Sequence, residues 1–218
     1  MRKEMGMARL TREQSQALTR ERILSAAGDV VARDGYDGAS VDRIAEAAGY
    51  SKGAFYSNFS SKEDVLDQLL ESHAGRDVVD LTELLADLHD AEEVIDAVAR
   101  WSDSRAAELK WGLLAIEFLR RARRDGNLTD HHRQPYIAQW RDVGALLIRK
   151  LFPEDPPPID ALDLGGIVLD LTYGGIATFL EATSAGNMLR EILIAFVKAY
   201  RAEGVSADPL PSSIEYPT

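Results

Sequence analysis

Residues 40–62 constrain this chain more than any other stretch: two short helices around a glycine turn, followed at once by the cap of a third. Ser40 is a helix N-cap, because its hydroxyl can accept a bond from an orphan N–H of the first turn. Val41, Ile44, Ala45 and Ala48 fall at i, i+3, i+4 and i+7, so one apolar stripe faces a core. Gly49 follows the last apolar position, where a glycine takes positive φ and stops a helix. Ser51 can cap the next helix, and the gap is then a turn of roughly three or four residues, the spacing of a helix-turn-helix. Phe55 and Phe59, four apart, are the expected buried anchors of the second helix. Ser61 caps a third helix that opens on Lys62, Glu63 and Asp64.

The outward residues have the chemistry to read a duplex. Small residues at Gly53 and Ala54 let the helix backbone approach a major-groove floor, and Ala54 can touch a thymine methyl. Lys52 can donate to guanine O6 and N7, and Asn58 can pair with an adenine edge. The Tyr56 hydroxyl and Lys62 ammonium suit phosphate oxygens, as do free N–H groups near Ser40 and Ser61. The three-helix pattern alone equally fits a plain helical hairpin whose Lys and Tyr side chains are solvated.

The longer string separates the two readings. Thr19–Ala27, Asp34–Phe59 and Ser61–Leu66 together resemble, in unbroken register over about residues 17–68, the N-terminal domain of TetR/AcrR-family transcriptional regulators. That resemblance puts Ser51, Lys52, Gly53 and Asn58 toward bases and Ser40, Tyr56 and Lys62 toward phosphates; Ala54 joins the base-facing set on its chemistry. Family members often carry Thr at Ala54, Leu at Phe55 and His or Tyr at Asn58, so the base preference is this chain's own.

Charge is divided along the chain. The net charge is −11, but residues 1–62 carry 10 basic and 8 acidic side chains, a net of +2, and the remaining residues carry 15 and 28, a net of −13. The acidity thus sits where DNA need not be touched, and solubility accounts for it. There is no cysteine, hence no disulfide framework and no thiol chemistry. No apolar run reaches membrane-spanning length and the charged start lacks a signal core, so a cytoplasmic protein is expected. His131 and His132 are adjacent and project about 100° apart on a helix, which does not chelate one metal. No metal, cofactor or catalytic residue is expected, since no phosphate loop, zinc-protease motif or nucleophile–base pair is present.

The expected architecture is all-α: an N-terminal three-helix helix-turn-helix domain joined to a larger helical domain for effector binding and dimerisation, about nine helices in total. Residues 1–16 read as a flexible arm with Arg2, Lys3, Arg9 and Arg12, residues 17–64 as the DNA-binding domain, 65–203 as the second domain and 204–218 as a disordered tail. Helices are expected near 18–34, from Ser61 through a candidate bend at Gly75 to about Leu88, and near 91–107, 108–124, 130–151, 160–182 and 186–203. Leu109, Leu113, Leu114, Ile116 and Phe118 supply the apolar residues of the helix near 108–124. Its Arg120–Arg124 cluster complements a helix C-terminus stopped by Gly126.

The last two helices carry a wide apolar stripe, and the Gly165-Gly166 and Gly174-Gly175 pairs suggest close backbone approach. The resemblance implies that these helices form a two-fold dimer interface, with Ile167, Leu171, Phe179, Leu189, Leu193, Phe196 and Val197 in it. The alternative is that they only close the monomer core. The resemblance also implies an effector pocket among the middle helices, with Trp101, Trp111, Phe118, Tyr136, Trp140 and Tyr173 as candidates. The expected partners are therefore a second copy of the chain, a palindromic double-stranded operator and a small, largely apolar effector, with no membrane. A repressor is the first reading; a ligand-responsive activator and a ligand-independent DNA-binding protein are the alternatives.

Overall fold

The computed structural model describes residues 11–203, apart from 109, 125, 127–128, 154–158 and 175–181; the side chains of 110, 118, 121–122, 131 and 203 are likewise outside it. The described residues form nine helices and no strand: α1 (Arg12–Gly38), α2 (Val41–Ala47), α3 (Lys52–Tyr56), α4 (Lys62–Leu84), α5 (Ala91–Ala106), α6 (Lys110–Arg124), α7 (Asp130–Leu151), α8 (Ala161–Tyr173) and α9 (Ala185–Glu203). No helix among them is long and apolar enough to cross a membrane. Arg2, Lys3, Arg9, Leu109, Phe118, Phe179 and the tail after 203 lie outside the description.

The chain divides into two units: Met1–Ser72 with Leu114–Asn127, and His73–Leu113 with Leu128–Thr218. In the first unit, α1 begins at Arg12 rather than near residue 18. Thr11 Oγ1 accepts from Gln14 N at 3.1 Å, and Gln14 Oε1 accepts from Thr11 N at 2.9 Å. This reciprocal capping box satisfies two orphan donors and lets the helix start inside what reads as an arm. Gly35 breaks α1 with φ 72°. Gly49, at φ 76°, ends α2. Ile23, Ala27, Val30, Tyr36, Ile44, Ala45, Phe55, Phe59, Val65 and Leu66 are buried in this unit. Phe59 is a buried anchor as expected, but it follows α3 in the turn instead of lying within the helix.

The second unit is built on two intimate helix pairs. α8 lies on α7 at glycines: a Cβ on Gly165 would stand 1.8 Å from the Trp140 carbonyl oxygen, and one on Gly144 would stand 1.8 Å from that of Ala161. The expected close approach at Gly165-Gly166 is therefore made within the chain. α9 packs on α5, where Asp103 Oδ1 accepts from Gly186 N at 2.7 Å and Arg190 Nε reaches Asp96 Oδ1 at 2.7 Å. Leu81, Val94, Val98, Val143, Leu147, Leu164, Val168, Leu189, Leu193 and Val197 share the interior.

Two expectations for this half of the chain are corrected. α8 ends at Tyr173 rather than near 182, with Gly174 as its cap. Leu189, Leu193 and Val197 are at most 5% exposed in the single chain, so they belong to its core and are not free to form an interface. On α6, Leu113 and Ile116 are 51% and 54% exposed, whereas Leu114 is buried.

Candidate nucleic-acid interface

The turn and the helix after it are fixed by local bonds. Ser40 Oγ accepts from Arg43 N at 3.3 Å and Ser51 Oγ accepts from Ala54 N at 3.2 Å, so each helix is capped by the serine just before it. α3 has five residues and one fully buried side chain, Phe55, whose ring lies 5.7 Å from that of Phe59. Burying that side leaves Ser51, Lys52, Gly53 and Tyr56 exposed, Tyr56 by 53%. These residues form one accessible surface.

Ala54 and Asn58 are only half exposed. Asn58 Nδ2 donates to Ala54 O at 2.8 Å, and its Oδ1 is buried with no partner among the described residues. Its amide is thus turned into its own helix, and pairing with an adenine edge requires a new rotamer. Lys52 Nζ lies 2.9 Å from Asp42 Oδ2, and that hydrogen bond, with the carboxylate charge, holds the ammonium above the usual lysine range. Lys62 turns inward as well: its Nζ donates to Tyr36 O at 2.8 Å and stands 4.0 Å from the Tyr36 ring centroid. Tyr36 OH donates to Glu63 Oε1 at 2.7 Å, which closes the group. Pattern reading did not single out Tyr36, Asp42 or Arg20 for this surface. A polar side chain's partner across a turn has no periodic signature.

In the second unit, the aromatic candidates are only partly brought together. His73 stacks on Trp111 with ring centroids 4.1 Å apart, and its Nε2 is 3.0 Å from Tyr173 OH. Tyr173 OH donates to Asp77 Oδ2 at 2.7 Å, Gln139 Nε2 donates to the same oxygen at 3.0 Å, and Arg105 Nε pairs with Asp77 Oδ1 at 3.0 Å. Since the phenol proton goes to Asp77, the His73 imidazole donates to the Tyr173 oxygen. Burial, and after it the Asp77 carboxylate, push the Tyr173 phenol far up. Burial also raises the Asp77 carboxyl against the opposing pull of Tyr173 and Arg105.

Trp101 is buried with its Nε1 unsatisfied among the described residues, and Trp140 covers Gly166. Tyr136 is half-buried. A half-open groove of about 290 Å³ lies elsewhere, between α5 and α9, lined by Ala91, Ile95, Arg190, Ile194, Val197 and Lys198 among others.

The first unit's geometry defines a helix-turn-helix, with the second helix presenting a polar face that carries Lys52. Residues 23–69 match the model described as bacterial regulatory proteins, tetR family. Over 53 residues the chain is 49% identical to the HTH-type transcriptional regulator YwcC of Bacillus subtilis, a match that spans 24% of each protein. It is 27% identical over 178 residues to the HTH-type transcriptional repressor AcnR of Corynebacterium diphtheriae, covering 76% of this chain and 87% of that one. The fold is also that of FadR from Bacillus subtilis, solved with stearoyl-CoA, at TM-score 0.59 and 20% identity over 81% of this chain and 97% of the other. The class is thus a DNA-binding transcriptional regulator of the helix-turn-helix type. Over residues 23–69 the chain is similar to the regulators of the TetR/AcrR family.

Proposed function

We propose that this protein is a cytoplasmic, homodimeric repressor that holds a palindromic operator and releases it when a small, largely apolar effector binds the second unit. The observation that carries this reading is the exposed set Ser51, Lys52, Gly53 and Tyr56, presented on a helix whose other side is pinned by Phe55. Lys52 reads bases with Ser51, Gly53, Ala54 and a re-oriented Asn58, while Ser40, Tyr56 and Lys62 serve phosphates. The repressor sense is supported by likeness to AcnR over most of both chains.

Dimerisation is assigned to what the core leaves free. On α9, Ile192 is 40% exposed, and Ala195 and Ala199 follow it at i+3 and i+7 on the same exposed side. Ile167, Leu171 and Phe196 are half-buried and can complete that surface. Two heads about 34 Å apart would then meet successive major grooves.

For the effector, the aromatic group around Trp111 and Tyr173 offers apolar walls beside the polar Asp77 network, the mixture small-molecule sites use. α4 contributes Lys62–Ser72 to the first unit and His73–Leu84 to the second, so binding acts through it. The effector must favour the DNA-incompetent state, and operator must reduce effector affinity by the same factor.

Selection from a random duplex pool at physiological salt tests the proposal. A recovered palindrome is expected. Failure to recover any motif from protein that still binds DNA would leave only a non-specific binder.

A further inference from the structure

We infer that Arg20, on α1 and outside the proposed DNA-facing set, is a positioning residue that holds the reading helix in register from behind. This rests on the regulatory reading above. α3 is far shorter than a helix that holds its own shape, and the chain that follows it at Asn58 and Phe59 needs outside support. Arg20 supplies it. Its Nη1 donates to Asn58 O at 2.7 Å, and its guanidinium carbon lies 4.5 Å from the Phe59 ring centroid. Nη2 donates to Gln68 Oε1.

The chain of bonds continues past Arg20. Gln68 Nε2 donates to Asp64 Oδ1 at 2.5 Å, and Asp64 Oδ2 accepts from Ser60 N at 2.7 Å and Ser60 Oγ at 2.9 Å. Arg20, Gln68, Asp64 and Ser60 thus form one hydrogen-bonded strap around the turn that follows α3. Burial works against the Asp64 carboxylate, yet the Ser60 and Gln68 bonds and the Arg20 charge hold it below the usual range, so the strap stays charged at neutral pH.

Arginine suits this post because one planar group must serve two acceptors in different directions while lying on an aromatic ring. A lysine can keep the charge but not the fork. What the strap fixes is the backbone at Asn58 and Phe59, and with it the placement of the side chains just before them. Bidentate base contacts depend on that placement, whereas phosphate contacts tolerate small shifts.

The test compares wild type, Arg20→Lys and Arg20→Gln, each verified as folded by thermal melting, on the selected duplex and on random duplex across a salt series. Arg20→Gln is expected to lose about tenfold on the selected duplex and less than about twofold on random DNA, with an unchanged salt slope. Arg20→Lys should fall between the two, and serves if the glutamine variant does not fold. In an Asn58→Ala background the Arg20→Gln loss should shrink.

A salt slope flattened by about one on both duplexes would make Arg20 a phosphate contact and overturn the inference. Equal loss on both duplexes in step with a lower folded fraction would reduce it to a stability residue, and full retention of preference would overturn it outright. A wild type with no preferred duplex would instead overturn the regulatory reading.

Discussion

Lys52 Nζ and Asp42 Oδ2 are 2.9 Å apart across the glycine turn, and both side chains are more than half exposed, at 53% and 66%. The residue best suited to donate to guanine is therefore already engaged by a carboxylate on the preceding helix. Such a pair contributes little to stability in water. Its consequence is electrostatic: Asp42 cancels one positive charge on the surface proposed to face DNA. Asp42→Asn should raise affinity for random duplex and steepen its salt slope by up to about one, while preference among sequences declines. Filter binding across a salt series reads both. Unchanged non-specific affinity would show that Asp42 does not face the DNA.

Tyr56 and Lys62 share a phosphate-facing assignment but should respond differently to mutation. Tyr56 is 53% exposed, so Tyr56→Phe removes a hydroxyl at little cost to the fold and should weaken operator and random DNA alike, by about threefold. Lys62 Nζ is bonded to Tyr36 O and lies over that ring, so Lys62→Ala also unties α4 from the end of α1. It should lower the melting temperature as well as DNA affinity. A Lys62→Ala protein that melts like wild type would make the Tyr36 contact incidental.

The helix-turn-helix was legible in the sequence because its devices are local. Ser40 and Ser51 cap the residues beside them, Gly49 takes the positive φ that its place at a helix end demands, and Phe55 and Phe59 are buried. The capping box at Thr11 and Gln14 is equally local, but the polar segment around it reads as an arm. Other features had no local sign. An apolar stripe tells which side of α9 avoids water and not what covers it, which is why Leu189, Leu193 and Val197 read as interface and fold as core. The inward turn of Lys62 and the Asp42–Lys52 pair depend on tertiary placement, to which a search for periodicity is blind.

Asp77 gives a stability prediction for the second unit. Its side chain is fully buried, accepts hydrogen bonds from Tyr173 on α8 and Gln139 on α7, and forms an ion pair with Arg105 on α5. Asp77→Ala leaves two donors without that acceptor and takes one carboxylate from Arg105, which keeps its pairing with Asp80. Breaking a buried ion pair from one side costs about 3 kcal/mol, equivalent to roughly 10 °C in Tm for a chain of this size. Calorimetry measures it, and a loss below about 1 kcal/mol would mean that water reaches the site and replaces the carboxylate.

Gly165 and Gly75 should respond with opposite sign to the same added methyl. Both lie inside helices, α8 and α4, where glycine costs about 1 kcal/mol relative to alanine through backbone freedom. At Gly75 an added Cβ meets nothing within 4 Å, so Gly75→Ala should recover about that much stability. At Gly165 the Cβ would stand 1.8 Å from Trp140 O and 2.6 Å from Trp140 C, both backbone atoms that no rotamer change can move aside. Gly144 on the facing helix is equally tight, so the two backbones cannot slide apart at one position without opening the other. Gly165→Ala should therefore cost about 3 kcal/mol or more despite the better helix propensity, because overpacking outweighs it. Melting curves of the two variants decide the matter: a Gly165→Ala protein as stable as Gly75→Ala would mean that α7 and α8 do not cross in backbone contact.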